Sequence, residues 1–373
     1  MTDTSDDLWL FWDDRVLLND TGMAFGEVAA SPLIEVAENH VENADRIINM
    51  RSVLQRGPIA EHITWRDGRL ATVEELATAH PETHIASVRQ FIQNGGGYIE
   101  DTTVLSSNAW ESILAAAGTS LEAVDAVLTH QTNHAYALVR PPGHHAQPTQ
   151  AEGYGAFNHA ALMAEKALKS GLERVAIIDW DVHHGNGTQE FFYHRDDVLY
   201  VSLHMRHGTW SPTHPQTGSA AEIGVGDGMG YNVNIELPLG TGDAGYAAGW
   251  KLVVRPIIEQ YDPQLLIISS GQDASAYDPN GRQCLTMRGF HRLGMLTREL
   301  AAAVTGGRFV AVQEGGYHLS YAAYCLHATC EGFLGRPAEL GDPIGYLPDN
   351  PHHGDAGITL TQTYLSRFWE FPS

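Results

Sequence analysis

The feature that most restricts the fold is a set of short apolar runs that do not alternate with polar residues. They occupy residues 136–139, 175–178, 198–202, 265–269 and 309–312. A strand with one wet face alternates apolar and polar; unbroken runs imply burial on both faces, as in a parallel sheet covered by helices. Between them, residues 160–169, 244–260 and 290–304 carry apolar positions at helical spacing, and residues 8–12 read as an early strand. Strand, helix, strand recurs, which predicts a doubly wound α/β sheet. Residues 94–97 and 224–230 read as loops within it, and residues 340–355 as a surface extension. No repeat or interdomain linker interrupts the sequence, so a single domain spanning 1–373 is expected.

In such sheets ligands bind beyond the carboxyl ends of the strands. Four polar clusters follow four of the runs: Arg140-Pro141-Pro142-Gly143-His144-His145, Asp179-Trp180-Asp181-Val182-His183-His184-Gly185-Asn186-Gly187, Gly271-Gln272-Asp273-Ala274, and Gln313-Glu314-Gly315-Gly316-Tyr317. Residues two apart in an extended segment share a side, so Asp181 and His183 can grip one ion, with Asp273 as a third ligand. An Asp-His-Asp set with one position open is a catalytic metal site. Its O and N donors suit Zn²⁺, with Fe²⁺ and Co²⁺ also compatible. The blander reading, that Asp181 and His183 cap a turn, is outweighed by the dense polar cluster after a buried strand.

His144 and His145 follow a stiff Pro-Pro-Gly turn, where Gly143 is expected to permit an unusual backbone conformation. A neutral imidazole beside an activated water takes its proton and later delivers it to a leaving amine. A His-His pair alone is more often ordinary surface; a metal site nearby reverses those odds. Tyr317 follows two glycines that would let its phenol enter the cleft as an oxyanion donor, with a packed core tyrosine an equal alternative.

The balance of 45 acidic against 22 basic residues gives a formal charge of −23. That field disfavours nucleic acid and favours cationic partners, and it also simply keeps a protein soluble. Cys284, Cys325 and Cys330 are too few for a disulfide framework and form no CxxC pair, so a reducing compartment and a cytoplasmic location are expected. No apolar run reaches membrane-spanning length.

Together the quoted clusters, with Val201-Ser202-Leu203-His204, resemble the histone deacetylase family, in particular bacterial class II histone deacetylase-like amidohydrolases. The resemblance runs from about residue 76 to 317, with a weaker echo from His40 to Arg46. It implies a three-layer α/β/α arrangement with a central, mostly parallel eight-stranded sheet, the arginase/deacetylase fold. By resemblance, Asp181, His183 and Asp273 hold zinc, His145 is the general base and acid, His144 an electrostatic helper, and Tyr317 the carbonyl-polarising group. Asp179, Ser202 and Leu203, with the backbone of Asp181 and His183, would hold a structural K⁺, and groups near Phe192, Arg195 and Val198 a second monovalent ion. Asp101 would hold substrate backbone at the rim, Gly153 and Tyr154 would line the acyl-lysine channel, and His214 with Pro215 would form its opposite wall, where Trp210 is a possible substitute.

The departures bear on substrate: Tyr154 replaces the usual channel phenylalanine, and Gln272 replaces a common phenylalanine. Asn186 stands where class I members carry an aspartate; class II members share the asparagine. His184 is expected to brace the metal loop, His352 and His353 to be solvated, and Cys284 to be structural. The implied activity is zinc-dependent hydrolysis of acetylated or short-acyl amines such as acetyl-lysine. Acetylpolyamine hydrolysis is the first alternative. A binuclear ureohydrolase and a non-catalytic acetyl-lysine sensor are weaker ones, and a homo-oligomer is left open.

Overall fold

The computed structural model describes residues 7–208 and 217–372. Eight strands form one sheet in which every neighbouring pair is parallel. In chain order they are β1 (Leu8–Trp12), β2 (Ile63–Asp67), β3 (His134–Ala137), β4 (Val175–Asp179), β5 (Val198–Met205), β6 (Asn232–Leu237), β7 (Leu265–Ser270) and β8 (Phe309–Gln313). In space they run β6-β5-β4-β7-β8-β3-β1-β2. Every residue of β3, β4, β5, β7 and β8 is buried, as their unbroken apolar runs require. Each fully buried Val, Ile or Leu there contributes roughly 1.5–3 kcal/mol.

Helices Ala109–Leu128 and His159–Lys169 pack together as one layer; Asp45–Arg56, Tyr321–Phe333 and Met287–Val304 form the other. The expected helix over 244–260 runs from 243 to 261 with a π-helical turn at Trp250–Val254.

Strands β2 and β6 carry no apolar run, for different reasons. β2 is an edge strand whose end is exposed. β6 is buried yet interleaves Asn232 and Asn234, whose amides both donate to Gln189 Oε1 at 2.8 Å; a satisfied buried polar pair looks like a wet face in sequence. The opposite edge is covered. Beyond the mostly exposed 340–355 segment, helix Asp355–Leu365 lies on β6, where Thr361 Oγ1 donates to Asn234 O at 2.7 Å. That shields an otherwise open strand edge.

The order of the strands places the site. β4, β5 and β6 advance outward in sequence, and the chain then returns to lay β7 on the other side of β4. This is the topological switch point, where the crevice of a doubly wound sheet opens. The four strands followed by polar clusters, β4, β7, β8 and β3, are consecutive in the sheet.

Two buried histidines support the loop that follows β3. His80 accepts from Asn158 N at Nε2 (2.9 Å) and its Nδ1 meets Pro148 O at 3.2 Å, while His159 Nε2 meets Pro141 O at 3.0 Å. Burial pushes His80 down to about 3, with His84 adding to the effect, and His159 down to about 4. The unfolded chain binds these protons first. The stability these groups confer is therefore complete above pH ~6.5 and is lost as pH falls towards the folded values, at up to ~1.4 kcal/mol per pH unit per group. Urea unfolding across pH is expected to give a shallower acid loss in His80→Gln, by about one proton; identical slopes would contradict this role.

Candidate active site

Asp181 and His183 follow β4, and Asp273 follows β7, the adjacent strand. All three are buried, and one ligand atom from each lies within 4.8 Å of the others. His183 Nδ1 is 3.2 Å from Asp181 Oδ1 and 3.2 Å from Asp273 Oδ2. Ligands about 2.0 Å from a tetrahedral ion stand ~3.3 Å apart, so these separations suit a single ion. The remaining carboxylate oxygens are pinned by backbone: Gly315 N donates to Asp181 Oδ2 at 2.7 Å and Val182 N to Asp273 Oδ1 at 2.8 Å. Asp273 Oδ2 is buried with no hydrogen-bond donor aligned on it. The donor set, its spacing and this orphaned oxygen fit a divalent cation.

The electrostatics agree. Burial drives Asp273 up to about 8, with the Asp181 charge adding to it. Burial also opposes ionisation of Asp181, but the imidazoles of His144 and His183 overcome it and hold that carboxylate below its usual range. Burial pulls His183 down, yet Asp181 and Asp273 lift it well above the ordinary imidazole value. Two carboxylates this close cannot both ionise without a positive charge between them.

His144 and His145 follow β3, their rings 4.1 Å apart. His144 Nδ1 lies 3.0 Å from Asp179 Oδ2, an oxygen that also accepts from Tyr200 Oη at 2.9 Å. Burial lowers the His144 pKa, but Asp181 and Asp179 raise it to about 10. His145 Nδ1 lies 2.6 Å from Asn186 Oδ1, and its ring is 5.9 Å from that of His183.

The glycine before the pair works differently from the expectation. Gly143 has no positive φ; instead a Cβ there would sit 2.7 Å from the His159 ring and 2.8 Å from His159 N. Close packing, not backbone freedom, requires it. After β8, Gly316 does adopt φ 126°. Gly315 is a close-approach position, where a Cβ would lie 2.0 Å from Asp273 Oδ2.

A cavity of about 310 Å³ opens over the cluster, lined by His145, His183, Tyr317, Gly153 and Tyr154. Tyr154 and Tyr317 meet edge-to-face at 5.5 Å. Tyr154 is held in the left-handed region at φ 71°, a strain of order 1–3 kcal/mol. Its N–H donates to Thr103 Oγ1 at 2.9 Å, and its hydroxyl bonds to Glu27 and accepts from Asn280 Nδ2 at 2.8 Å. Asp101 is exposed beside Glu100 and Thr102, which line the cavity. His214, like Trp210 and Pro215, lies outside the described residues.

Ser202 stands opposite Asp179 in the β4–β5 register, and its Oγ is 2.9 Å from His204 Nδ1; Leu203 is buried beside it. Arg195 N donates to Phe192 O at 3.0 Å, and Val198 begins β5. Gln272 turns away from the cavity and accepts from Gln313 Nε2 at 2.7 Å, which ties it to Tyr136 through Gln313 Oε1 at 2.8 Å. That departure therefore alters the core and not the channel. His184 Nε2 meets Gln189 Oε1 at 3.1 Å. His352 is exposed and meets Asp355, and His353 reaches Leu239 O at 2.8 Å. Cys284, expected to be structural, is a free, exposed thiol.

Reading the sequence missed the groups that steady these loops. Glu314 Oε2 accepts from Gly143 N and His144 N at 2.7 and 3.1 Å, and burial raises its pKa to about 7. Asp278 accepts from Tyr317 N at 2.7 Å. Arg46 donates to Glu314 O and Gly316 O, lies 4.9 Å over the Tyr317 ring, and shares Glu42 with Arg140. Glu314 lay inside a quoted motif; Glu42 and Arg46 lay in the fainter segment, which gave no role for them. Glu27, Glu100, Glu152 and Asn280 gave no sequence signal.

The all-parallel eight-stranded sheet between helical layers, with a buried Asp-His-Asp group at its switch point, is the arginase/deacetylase architecture. A histone deacetylase domain model matches residues 40–333. The chain is 47% identical to "Histone deacetylase 8" of Arabidopsis thaliana, over 97% of each chain. It is 36% identical to "Histone deacetylase-like amidohydrolase" of Pseudomonas aeruginosa, over 83% of this chain and 80% of that one. The crystal structure of the HDA15 HD domain superposes with a TM-score of 0.83 at 30% identity, covering 97% and 96% of the two chains. The chain belongs to the histone deacetylase family and is a deacetylase-type hydrolase.

Because Gly315 leaves no room for a Cβ against Asp273, Gly315→Ala is expected to weaken divalent-metal binding by on the order of 10- to 100-fold in calorimetric titration. Unchanged affinity would mean that the three side chains are not the ligands.

Proposed function

We propose that the chain is a zinc-dependent hydrolase of acetylated, short-acyl amines such as acetyl-lysine, yielding acetate and the free amine. The observation that carries this is the Asp181–His183–Asp273 cluster, whose His183 lines a cavity together with His145 and Tyr317. Asp181, His183 and Asp273 would hold Zn²⁺, which when bound polarises a carbonyl and acidifies water towards a pKa of about 7.

His145 Nε2 accepts the proton of the attacking water, because Nδ1 faces Asn186 Oδ1 and so carries the ring hydrogen. The water oxygen joins the acyl carbon, and Tyr317 donates a hydrogen bond to the oxyanion that forms. Collapse breaks the C–N bond, and His145 returns its proton to the leaving nitrogen. His144, held by Asp179, contributes positive charge at the edge of this centre. Asp179, Ser202 and Leu203, with the backbone of Asp181 and His183, are proposed to hold K⁺, and Phe192, Arg195 and Val198 a second monovalent ion. Asp101, Gly153, Tyr154 and His214 are assigned to substrate. The chain is proposed to act as one domain in the cytoplasm. Among the described residues no helix is long and apolar enough to cross a membrane.

A second reading, a small cationic amide such as an acetylated polyamine, is favoured by one observation. Glu27, Glu100 and Glu152 line the cavity against one basic side chain, Arg282. "Polyamine deacetylase HDAC10" of Homo sapiens, 35% identical over 81% of this chain and 46% of that one, is consistent with it. The kcat/KM for acetylputrescine against an acetyl-lysine peptide separates the two. The binuclear ureohydrolase alternative needs further bridging carboxylates, and one three-ligand group is found among the described residues.

With an acetyl-lysine peptide, Tyr317→Phe is expected to lower kcat by on the order of 10²–10³, and His145→Ala by on the order of 10²–10⁴. Turnover of either variant close to that of the parent chain would refute these roles.

A further inference from the structure

His145 can accept a proton only if its hydrogen sits on Nδ1 and its Nε2 lone pair is free. Contact between Nδ1 and Asn186 secures this only while the amide oxygen, and not the NH₂, faces the ring. A carboxamide offers either its oxygen or its NH₂, and the two orientations are nearly the same shape. With the NH₂ turned towards Nδ1, a neutral imidazole carries its hydrogen on Nε2 and presents a donor where an acceptor is needed.

We propose that Glu152 is a positioning residue that sets the tautomer of His145 by fixing the orientation of Asn186. This rests on the hydrolase reading given above. Asn186 Nδ2 donates to Glu152 Oε2 at 2.9 Å, while Asn186 Oδ1 lies 2.6 Å from His145 Nδ1. All three side chains are buried; Glu152 is 3% exposed. As an acceptor, Glu152 Oε2 admits one orientation of the amide, with Nδ2 towards Glu152 and Oδ1 towards His145. Gln147 Nε2 donates to the same Glu152 oxygen. The Glu152–Gly155 backbone pair, bonded in both directions at 3.0 Å, holds the loop that carries it. The carboxylate also polarises the amide, which makes Oδ1 a better partner for the imidazolium formed after proton transfer. Glu152 and Asn186 together act as a carboxylate placed one residue away from the ring.

The test is long-range ¹H–¹⁵N NMR of the full chain, with the His145 signals assigned by their loss in His145→Gln. The parent chain is expected to carry the hydrogen on Nδ1, and Glu152→Met to shift it towards Nε2. On an acetyl-lysine peptide, Glu152→Met is expected to lower kcat by on the order of 10- to 100-fold, with KM within about twofold. Glu152→Gln, which keeps the shape, is expected to fall between the two and guards against misfolding.

In an Asn186→Asp background a carboxylate faces His145 directly and needs no orientation. There Glu152→Met, which also removes a carboxyl next to the new one, is expected to cause no loss of kcat. Retention of the Nδ1 hydrogen in Glu152→Met would overturn the proposal, as would equal losses in both backgrounds or a KM effect with kcat intact. A parent chain without turnover would sink the hydrolase reading alone, and the NMR result would still decide this one.

Discussion

Everything at this site depends on two buried carboxylates and an imidazole converging on one point. Moving a charged carboxylate out of water costs several kcal/mol even after the protein relaxes. Asp181 and Asp273 are both fully buried, and their second oxygens are already committed to Gly315 N and Val182 N. The oxygens left over point at each other and at His183. A divalent cation between them would offset this arrangement. The parallel sheet makes the convergence possible, because neighbouring strands that end at one level deliver their side chains to one crevice.

Around that point lies a set of buried charges and amides that hold the loops in place. Glu42 bridges Arg140 at the start of the histidine turn and Arg46, which in turn reaches the backbone of Glu314 and Gly316. Glu314 collects the N–H groups of Gly143 and His144. The histidine loop and the tyrosine loop are thereby tied to one another from below. Removing one member of such a network leaves an uncompensated buried charge, so positions remote from the cavity govern its shape.

Much of the fold was legible because burial on both faces leaves a mark in sequence. β4, β5, β7 and β8 each open on an apolar run, and the polar clusters that follow β4, β7 and β8 named the site before any geometry was known. β6 was not legible because Asn232 and Asn234 are satisfied internally by Gln189, and β2 because it frays into solvent at the sheet edge. At the site, Asp181, His183, Asp273, His144, His145 and Tyr317 were readable as motifs, since short spacings fix them on strand ends. Glu27 and Asn280 were not, because they arrive from loops distant in sequence. Glu152, though beside Gly153, was not because its partner Asn186 lies in another segment of the chain. The hydroxyl of Tyr154 was visible as a departure, but its partners Glu27 and Asn280 exist only in three dimensions.

The central claim is that one divalent ion sits among Asp181, His183 and Asp273. Anomalous diffraction at the zinc edge from crystals of the full chain, with elemental analysis of the same preparation, tests it most directly. The account predicts one anomalous peak per chain, within about 2.0–2.2 Å of an oxygen of each aspartate and a nitrogen of the histidine, and its absence in Asp273→Asn crystals. A zinc-loaded preparation with no peak there, or with its only peak elsewhere, would contradict it.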